Sequence, residues 1–389
     1  MYVQHLALTH VRNYTRLELP LQARVHVFRG GNAQGKTNLL EAIYYLATTR
    51  SPLASSERQL IQWSASAEPI PYARAEVHYV RGGEEHTIEI TLVLEPQQNG
   101  ATELALRRQI KLDGTPRRAM DVVGRLNIVL FLPQDVALVD GAPSERRRYL
   151  DVALCQIDPQ YCRALSRYGR VLTQRNALLN ALRDQRGASP GQLEYWDSQL
   201  VELGVQVLGK RLWAVAQLNT LVEGVQRALT GGRELLTLNY QSTVPLEDAE
   251  DPASLTASLT RALHAARRKE LARGVTTLGP HRDDMRFMLN GVDATIYGSR
   301  GQQRTAALAI KLAEMTLMKQ QTGEMPVLLL DDVTSELDAE RCAYLLERVA
   351  AAEQVLLTTT DLHALSPLFL ERAQVWQVLE GEITPADAE

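Results

Sequence analysis

Gly30-Gly31-Asn32-Ala33-Gln34-Gly35-Lys36-Thr37 decides how this chain is read. The octet fits G-x-x-x-x-G-K-[ST]. In that loop glycines let backbone N–H groups converge on phosphate oxygens, the lysine adds a point charge near the β and γ positions, and the hydroxyl can ligate Mg²⁺. Its surroundings agree: the β-forming run 25–28 precedes it and the helix-forming run NLLEAIYYLA follows it, the strand, loop and helix order the motif requires. A phosphate loop alone leaves kinases, GTPases and motor ATPases open, and the C-terminal half narrows them. VLLLDD at 327–332 is an apolar strand ending in two carboxylates, suited to Asp331 in the Mg²⁺ shell and Asp332 polarising an attacking water. YGSRGQQR at 297–304 stands before a helical run, where backbone donors and the helix dipole make a second anion site. SELD at 335–338 reads as a helix start, with Ser335 as its cap and Glu336 as a favourable first-turn charge.

The rest of the chain bounds what can surround these motifs. Its 389 residues predict two or three domains, and 45% apolar with 23% charged residues is ordinary globular composition. No run approaches the ~20 apolar residues of a membrane span, and the N-terminus carries no basic region followed by a signal-like apolar stretch, so the expected location is cytoplasmic, with no membrane partner. Three cysteines without C-x-x-C spacing support neither a disulfide framework nor a zinc site. The net charge of −4 conceals an uneven distribution: 15 basic against 9 acidic residues over 101–190, but 3 against 13 over 331–389. Residues 1 to about 130 read as strands, among them 73–80 and 86–94 joined by a turn at Gly82-Gly83. Asp158-Pro159 then signals a helix start. Apolar stripes through Tyr161, Tyr168 and Leu179, and through Leu193, Leu200 and Val207, predict an antiparallel hairpin turning at Gly187 to Gly191. A surface loop over 245–256, a helix over 259–271 and a resumed strand and helix pattern from about 275 complete the reading.

The order of phosphate loop, long insert, Ser-x-Gly-Gln turn, DD strand and SELD resembles the ATP-binding cassette head of the SMC and Rad50 type. Within that group the chain resembles the RecF family of bacterial recombinational repair ATPases. The likeness runs nearly end to end, through LTHVRNY at 8–14, FLPQD at 131–135, GAPSERRRYLD at 141–151, TQRNALL at 173–179, TLGPHRDD at 277–284, GSRGQQRT at 298–305 and LLLDDVTSELD at 328–338. It implies an α/β head, a mixed sheet with flanking helices, built from 1–135 and 274–389, with a helical arm inserted at 136–273. It implies ATP and Mg²⁺ as ligands, held by residues 30 to 37 with Thr37 and Asp331 on the metal. Lys36, Asp331, Asp332 and Gln134 are then the catalytic set. In such heads ATP glues two subunits together, and Ser299, Gly301 and Gln302 would meet the γ-phosphate bound to the other copy, with Asp338 crossing the interface. Two departures predict slow hydrolysis, a timing switch with DNA-stimulated but weak turnover: Asp332 stands where cassette heads usually carry Glu, and Val355 to Thr358 runs into Thr359-Thr360-Asp361 without the usual histidine.

The resemblance also implies single-stranded or gapped DNA as ligand, RecO- and RecR-type partners, recombinase loading, replication restart and the SOS response. Arg146-Arg147-Arg148, Arg267-Arg268-Lys269 and Arg117-Arg118 are the candidate DNA contacts, expected to bind phosphates in a salt-dependent way. Each is equally a candidate solvated face or internal ion-pair partner. His281, Arg282 and Asp283 belong either to the nucleotide interface or to a structural link between head and arm. Two rival functions stand beside this one. A transporter motor subunit shares the nucleotide chemistry, but the insert between Lys36 and Ser299 is far too long for it. A nucleotide-gated scaffold with incidental hydrolysis lies much closer.

Overall fold

In the computed structural model, which describes residues 1–96, 104–184 and 191–386, the run ahead of the phosphate loop forms the strand Val25–Arg29. It lies between Val355–Thr359 and Ala373–Leu379, parallel to both. Beyond Val355–Thr359 come Val327–Asp331 and then Ile128–Phe131, again parallel, while Glu382–Ala386 closes the opposite edge antiparallel. Strands buried on both faces read as unbroken apolar runs, as in the fully buried VLLLD. His26 is a buried polar residue among them; its Nδ1 accepts a hydrogen bond from Trp376 Nε1 at 3.1 Å.

A second six-stranded sheet is antiparallel, with Tyr2–Val11 between Tyr14–Pro20 and Tyr72–Arg81, followed by Glu84–Glu95, Ala105–Leu112 and Thr115–Pro116. The helix Lys36–Thr48 touches strands of both sheets. Its Leu39, Leu40, Ile43 and Leu46 join apolar side chains from the two sheets in one core. Each such buried side chain contributes roughly 1.5–3 kcal/mol, and together they fix the direction in which the phosphate loop enters its helix.

The chain divides into two compact units, 1–134 with 318–389, and 135–317. The second unit carries the arm. Asp158 accepts hydrogen bonds from the N–H groups of Gln160 and Tyr161, with Pro159 at the first helical position, and opens the 25-residue helix Pro159–Arg183. The next helix, Gln192–Leu229, runs for 38 residues, well past the last residue of the expected stripe. The turn expected at Gly187 to Gly191 lies, apart from Gly191, outside the described residues. Contacts at steps of seven set the antiparallel register: Tyr161 with Arg211, Tyr168 against Gly204, and Arg175 with Asp197. Seven residues are close to two turns, so the same faces keep meeting. The third long helix starts at Pro252, capped by Asp251, inside the expected loop. It repeats the Asp-Pro signal read at 158–159.

The expected insert ends at 273, whereas the second unit reaches Leu317. The reason is a small antiparallel sheet in which Asp284–Leu289 pairs along its whole length with Leu236–Gln241 and carries Val292–Asp293 on its other edge. That pairing binds the chain after 274 to the chain before it, and the unit division falls inside the helix Arg300–Thr322. Among the described residues no helix is long and apolar enough to cross a membrane.

Candidate nucleotide site

Two glycines shape the loop. A Cβ on Gly30 would stand 2.4 Å from the Val378 carbonyl oxygen, and Gly35 has φ +115 with Asn13 packed against it; only glycine satisfies both conditions. Ala33 also takes a left-handed φ of 63°. Lys36 reaches back across the loop, donating to the carbonyls of Gly30 and Gly31 at 2.7 Å each. Burial lowers the pKa of its ammonium, opposed by the charges of Asp332 and Asp331. Thr37 Oγ1 donates to the Asp331 carboxylate at 2.9 Å and Thr358 Oγ1 donates to Asp331 Oδ1 at 2.7 Å. Burial raises the pKa of Asp331, and those two hydroxyls pull it down.

Asp332 follows with a left-handed φ of 47°. Its N–H donates to Thr358 Oγ1 at 3.0 Å, while its Oδ1 is buried and meets no hydrogen-bond partner among the described residues. Hydroxyl, carboxylate and an orphaned carboxylate oxygen form a hard-oxygen donor set of the kind Mg²⁺ takes beside phosphates. The residues present therefore fit a Mg-nucleotide. Gln134 is exposed in the turn Pro133–Val136, just beyond the strand that pairs with Val327–Asp331.

Several supports carry no motif of their own. The tip of the Tyr2–Val11 and Tyr14–Pro20 hairpin props the loop: Asn13 Nδ2 donates to Gln34 O at 3.0 Å, and Tyr14 OH to Gly35 O at 3.0 Å. Asn38 Nδ2 donates to Asn13 Oδ1 at 2.8 Å. Gly381 N–H donates to Gln34 O at 3.1 Å, closing the other side. Arg12 holds buried Glu41, on the helix after the loop, through two bonds of 2.7 and 2.9 Å. The phrase LTHVRNY contained these residues without showing their task, because contact across a hairpin tip leaves no spacing in the chain.

The Ser-x-Gly-Gln turn, in the second unit, is a reciprocal cap. Gln302 N–H donates to Ser299 Oγ at 3.3 Å and Ser299 N–H to Gln302 Oε1 at 2.9 Å, the capping-box exchange at a helix N-terminus. Gln302 Nε2 donates to Glu234 at 2.9 Å, whose other oxygen accepts from Gln226 Nε2 at 2.8 Å near the end of the long arm helix. Neither Glu234 nor Gln226 stands out in the sequence. Gly301 lies in the first turn of the helix.

SELD differs from expectation. Ser335 Oγ donates to Asp332 O at 2.8 Å in a short turn, and the cap of the following helix, Ala339–Val349, is Asp338, which accepts from Arg341 N–H at 2.9 Å. The Glu336 side chain lies outside those described. Asp338 also pairs with the Arg341 guanidinium.

Among the candidate DNA contacts, Arg146 is ruled out by burial: its guanidinium is fully engaged with Asp284, at 2.7 and 3.0 Å, and with Gly141 O at 2.8 Å. Arg147 is half-buried and donates to Asp283 O at 2.7 Å. Arg148, Arg268 and Lys269 are exposed, Arg267 is half-buried, and Arg117 and Arg118 are exposed, with Arg118 paired to Asp121. GPHRDD proves to be a hub within the second unit. Arg211 donates to Pro280 O at 2.6 Å, and Tyr168 OH meets His281 Nδ1 at 2.8 Å. Asp283 accepts from Tyr240 OH and from Thr243 N–H and Oγ1 at 2.7–2.9 Å.

Burial lowers the His281 pKa to about 4 from 6.5. The unfolded chain therefore takes up a proton first, so this histidine's contribution is full above pH 6.5 and is lost as pH falls toward 4. Urea midpoints at pH 6 and pH 5 should show wild type losing about 1 kcal/mol more than His281→Gln over that interval. Equal losses would mean that His281 titrates normally.

A phosphate loop on a mostly parallel sheet, an acidic pair on the next strand but one, and an insert that returns through a Ser-x-Gly-Gln helix start define a cassette-type nucleotide-binding head. A family model described as RecF/RecN/SMC N terminal domain matches residues 2–373. The chain is 44% identical over 389 residues to the DNA replication and repair protein RecF of Chloroflexus aurantiacus, covering 98% of this chain and 99% of that one. It is 38% identical over 383 residues to that of Bacillus subtilis, covering 98% and 100%. A solved structure of the recombination mediator protein RecF-ATP in the RecFOR pathway superposes with a TM-score of 0.86 at 29% identity, over 99% of this chain and 97% of that one. The chain belongs to the RecF family of DNA replication and repair proteins. An Smc head bound to the C-winged helix domain of ScpA, at 16% identity and TM-score 0.54 over 100% and 98% of the two chains, shares the fold.

Proposed function

We propose that the chain is an ATP-operated clamp for DNA repair. Two copies close on two nucleotides, each held by the phosphate loop of one copy and the Ser-x-Gly-Gln turn of the other, and the closed pair holds single-stranded or gapped DNA. The observation that carries this reading is Gly301. A Cβ there would meet nothing within 4 Å and the backbone is helical, so the described packing does not ask for glycine. Glycine in a helix costs about 0.5–1 kcal/mol relative to alanine. That cost has a use where a phosphate must approach the backbone at a capped helix start.

The loop N–H groups and Lys36 would hold the phosphates, and Thr37 and Asp331 would hold Mg²⁺. When bound, that ion neutralises charge on the β and γ oxygens. Asp332 orients the attacking water and takes its proton, with Gln134 beside the same strand end. Asp332 has a shorter side chain than glutamate and sits on a left-handed residue, which supports slow hydrolysis, below the ~10 per second of a median enzyme. Assembly with RecO- and RecR-type mediators, recombinase loading at gaps, replication restart and SOS induction follow from family membership; the solved neighbours carry the words RecFOR pathway.

Anisotropy of a labelled gapped duplex at physiological salt, with and without Mg-ATP, tests the reading. ATP should tighten binding roughly tenfold, within the usual range of coupling, and Ser299→Arg should abolish the gain while leaving nucleotide-free binding unchanged. Wild-type affinity that ignores ATP would overturn it.

A further inference from the structure

The first arm helix, Pro159–Arg183, contains five arginines and no acidic residue in its 25 positions. The overall acidity, 46 Asp and Glu in 389 residues, would place about three there. The five arginines fall into distinct classes. Arg175 is completely buried in ion pairs with Asp197 and Glu270, and Arg183 pairs with its neighbour Asp184. Arg163, Arg167 and Arg170 are exposed, and among the described residues none of them has a carboxylate within ion-pair distance.

These three share one face. At about 100° per residue they lie roughly 180–240° around the helix from Tyr161, which with Tyr168 packs toward the second arm helix. Arg163 spends one Nε–H on Pro159 O at 3.1 Å and Arg170 reaches toward Ser166 O at 3.5 Å, leaving the forked ends to face outward. An ordinary solvated helix face mixes signs, as the second arm helix does with Glu194, Glu202 and Glu223 beside Lys210 and Arg227. The three positions span seven helical steps, a rise of about 10 Å, which matches some three steps of 3.4 Å along a nucleic-acid strand. Planar forks of this kind suit phosphate oxygens. Thr173 and Gln174 are exposed a turn further on as neutral phosphate donors.

We propose that this arginine stripe, Arg163, Arg167 and Arg170, is a contact surface for the phosphate backbone of DNA. It rests on the DNA-binding reading above and supplies a place for it on the arm, distinct from the arginine clusters read in the sequence. The contact is electrostatic and indifferent to base sequence.

The test uses the full chain and the same gapped duplex, with affinity measured from 50 to 200 mM salt. Wild type should show a steep log–log dependence. In the triple variant Arg163→Gln, Arg167→Gln, Arg170→Gln the slope should fall by about 2 to 3, at roughly 0.7 to 0.9 per lost phosphate contact. The triple lysine variant, keeping the charges, should hold the wild-type slope. Thermal unfolding by circular dichroism should leave the glutamine variant's midpoint unmoved, since the replaced groups are exposed. A wild-type slope retained by the glutamine variant overturns the proposal. The same retained slope with loss of binding to polyglutamate reassigns the stripe to an acidic protein and also overturns it. Wild type that binds no DNA at any salt sinks the repair-clamp reading itself, a result recognisable before any variant is made.

Discussion

Replacing Arg175 with methionine should destabilise the second unit by about 3–5 kcal/mol, the usual cost of leaving a buried charge without its partner. Arg175 has no solvent exposure, and its guanidinium is shared by Asp197 at 2.7 Å, Glu270 at 2.8 Å and Thr276 Oγ1 at 2.8 Å. Three chain segments therefore meet at one cation: both hairpin helices and the end of the third arm helix. Glu270, likewise fully buried, also accepts from Thr277 N–H at 2.6 Å. Methionine fills much of the space but leaves Asp197 and Glu270 facing each other as unpaired carboxylates. Urea unfolding followed by far-ultraviolet dichroism should show a midpoint lower by roughly 2 M, taking about 2 kcal/mol per molar for the slope. A loss below 1 kcal/mol would mean that the cluster is weakly coupled to folding. Arg175→Met with Asp197→Asn and Glu270→Gln should recover much of the loss, because the uncompensated charges go with the cation.

Lys36→Ala should weaken Mg-ATP binding about a hundredfold or more, close to 3 kcal/mol, and abolish the ATP-dependent gain in DNA affinity. The lysine is nearly buried and holds two loop carbonyls at 2.7 Å; a triphosphate replaces those carbonyl contacts with charged ones. Charge-assisted contacts are about twice as strong as neutral ones. Alanine removes the cation while the glycines keep the loop's path, so the fold should survive with an unchanged urea midpoint. Isothermal calorimetry with Mg-ATP reads the effect directly. Affinity within threefold of wild type would remove Lys36 from the site.

What the chain announced and what it kept back divide along physical lines. The loop, the DD strand and the Asp158-Pro159 helix start are local, a few adjacent residues with fixed conformational needs, and each appears where it was read, whereas the same signal at Asp251-Pro252 lay unread inside the expected loop. The arm's second helix extends to Leu229 because its later turns are covered by the Leu236–Gln241 strand, where Asn219 bonds both the N–H and the carbonyl of Leu238, cover that no stripe records in advance. Ser335 failed as a cap because Asp332 takes a left-handed turn and uses the serine hydroxyl itself, which moved the helix start to Asp338. The phrase Gly279 to Asp284 was legible as unusual but not as a hub, since its partners Tyr168, Arg211, Tyr240 and Thr243 are dispersed along the chain. Glu234 was silent for the same reason. Arg146 shows the converse error, a basic triplet whose first member folds inward to meet Asp284.

The seven-residue ladder of the arm works like a keyed shaft. Its outer rungs are a salt bridge from Arg175 to Asp197 and a Tyr161, Asp151 and Arg211 cluster, and its middle rung seats Tyr168 against the bare backbone of Gly204. Sliding one helix by a single turn would push a side chain into the space that Gly204 keeps clear and strand a buried arginine at each end. The hairpin cannot telescope. The two helices are locked in one register, so the hairpin is a rigid element of the second unit.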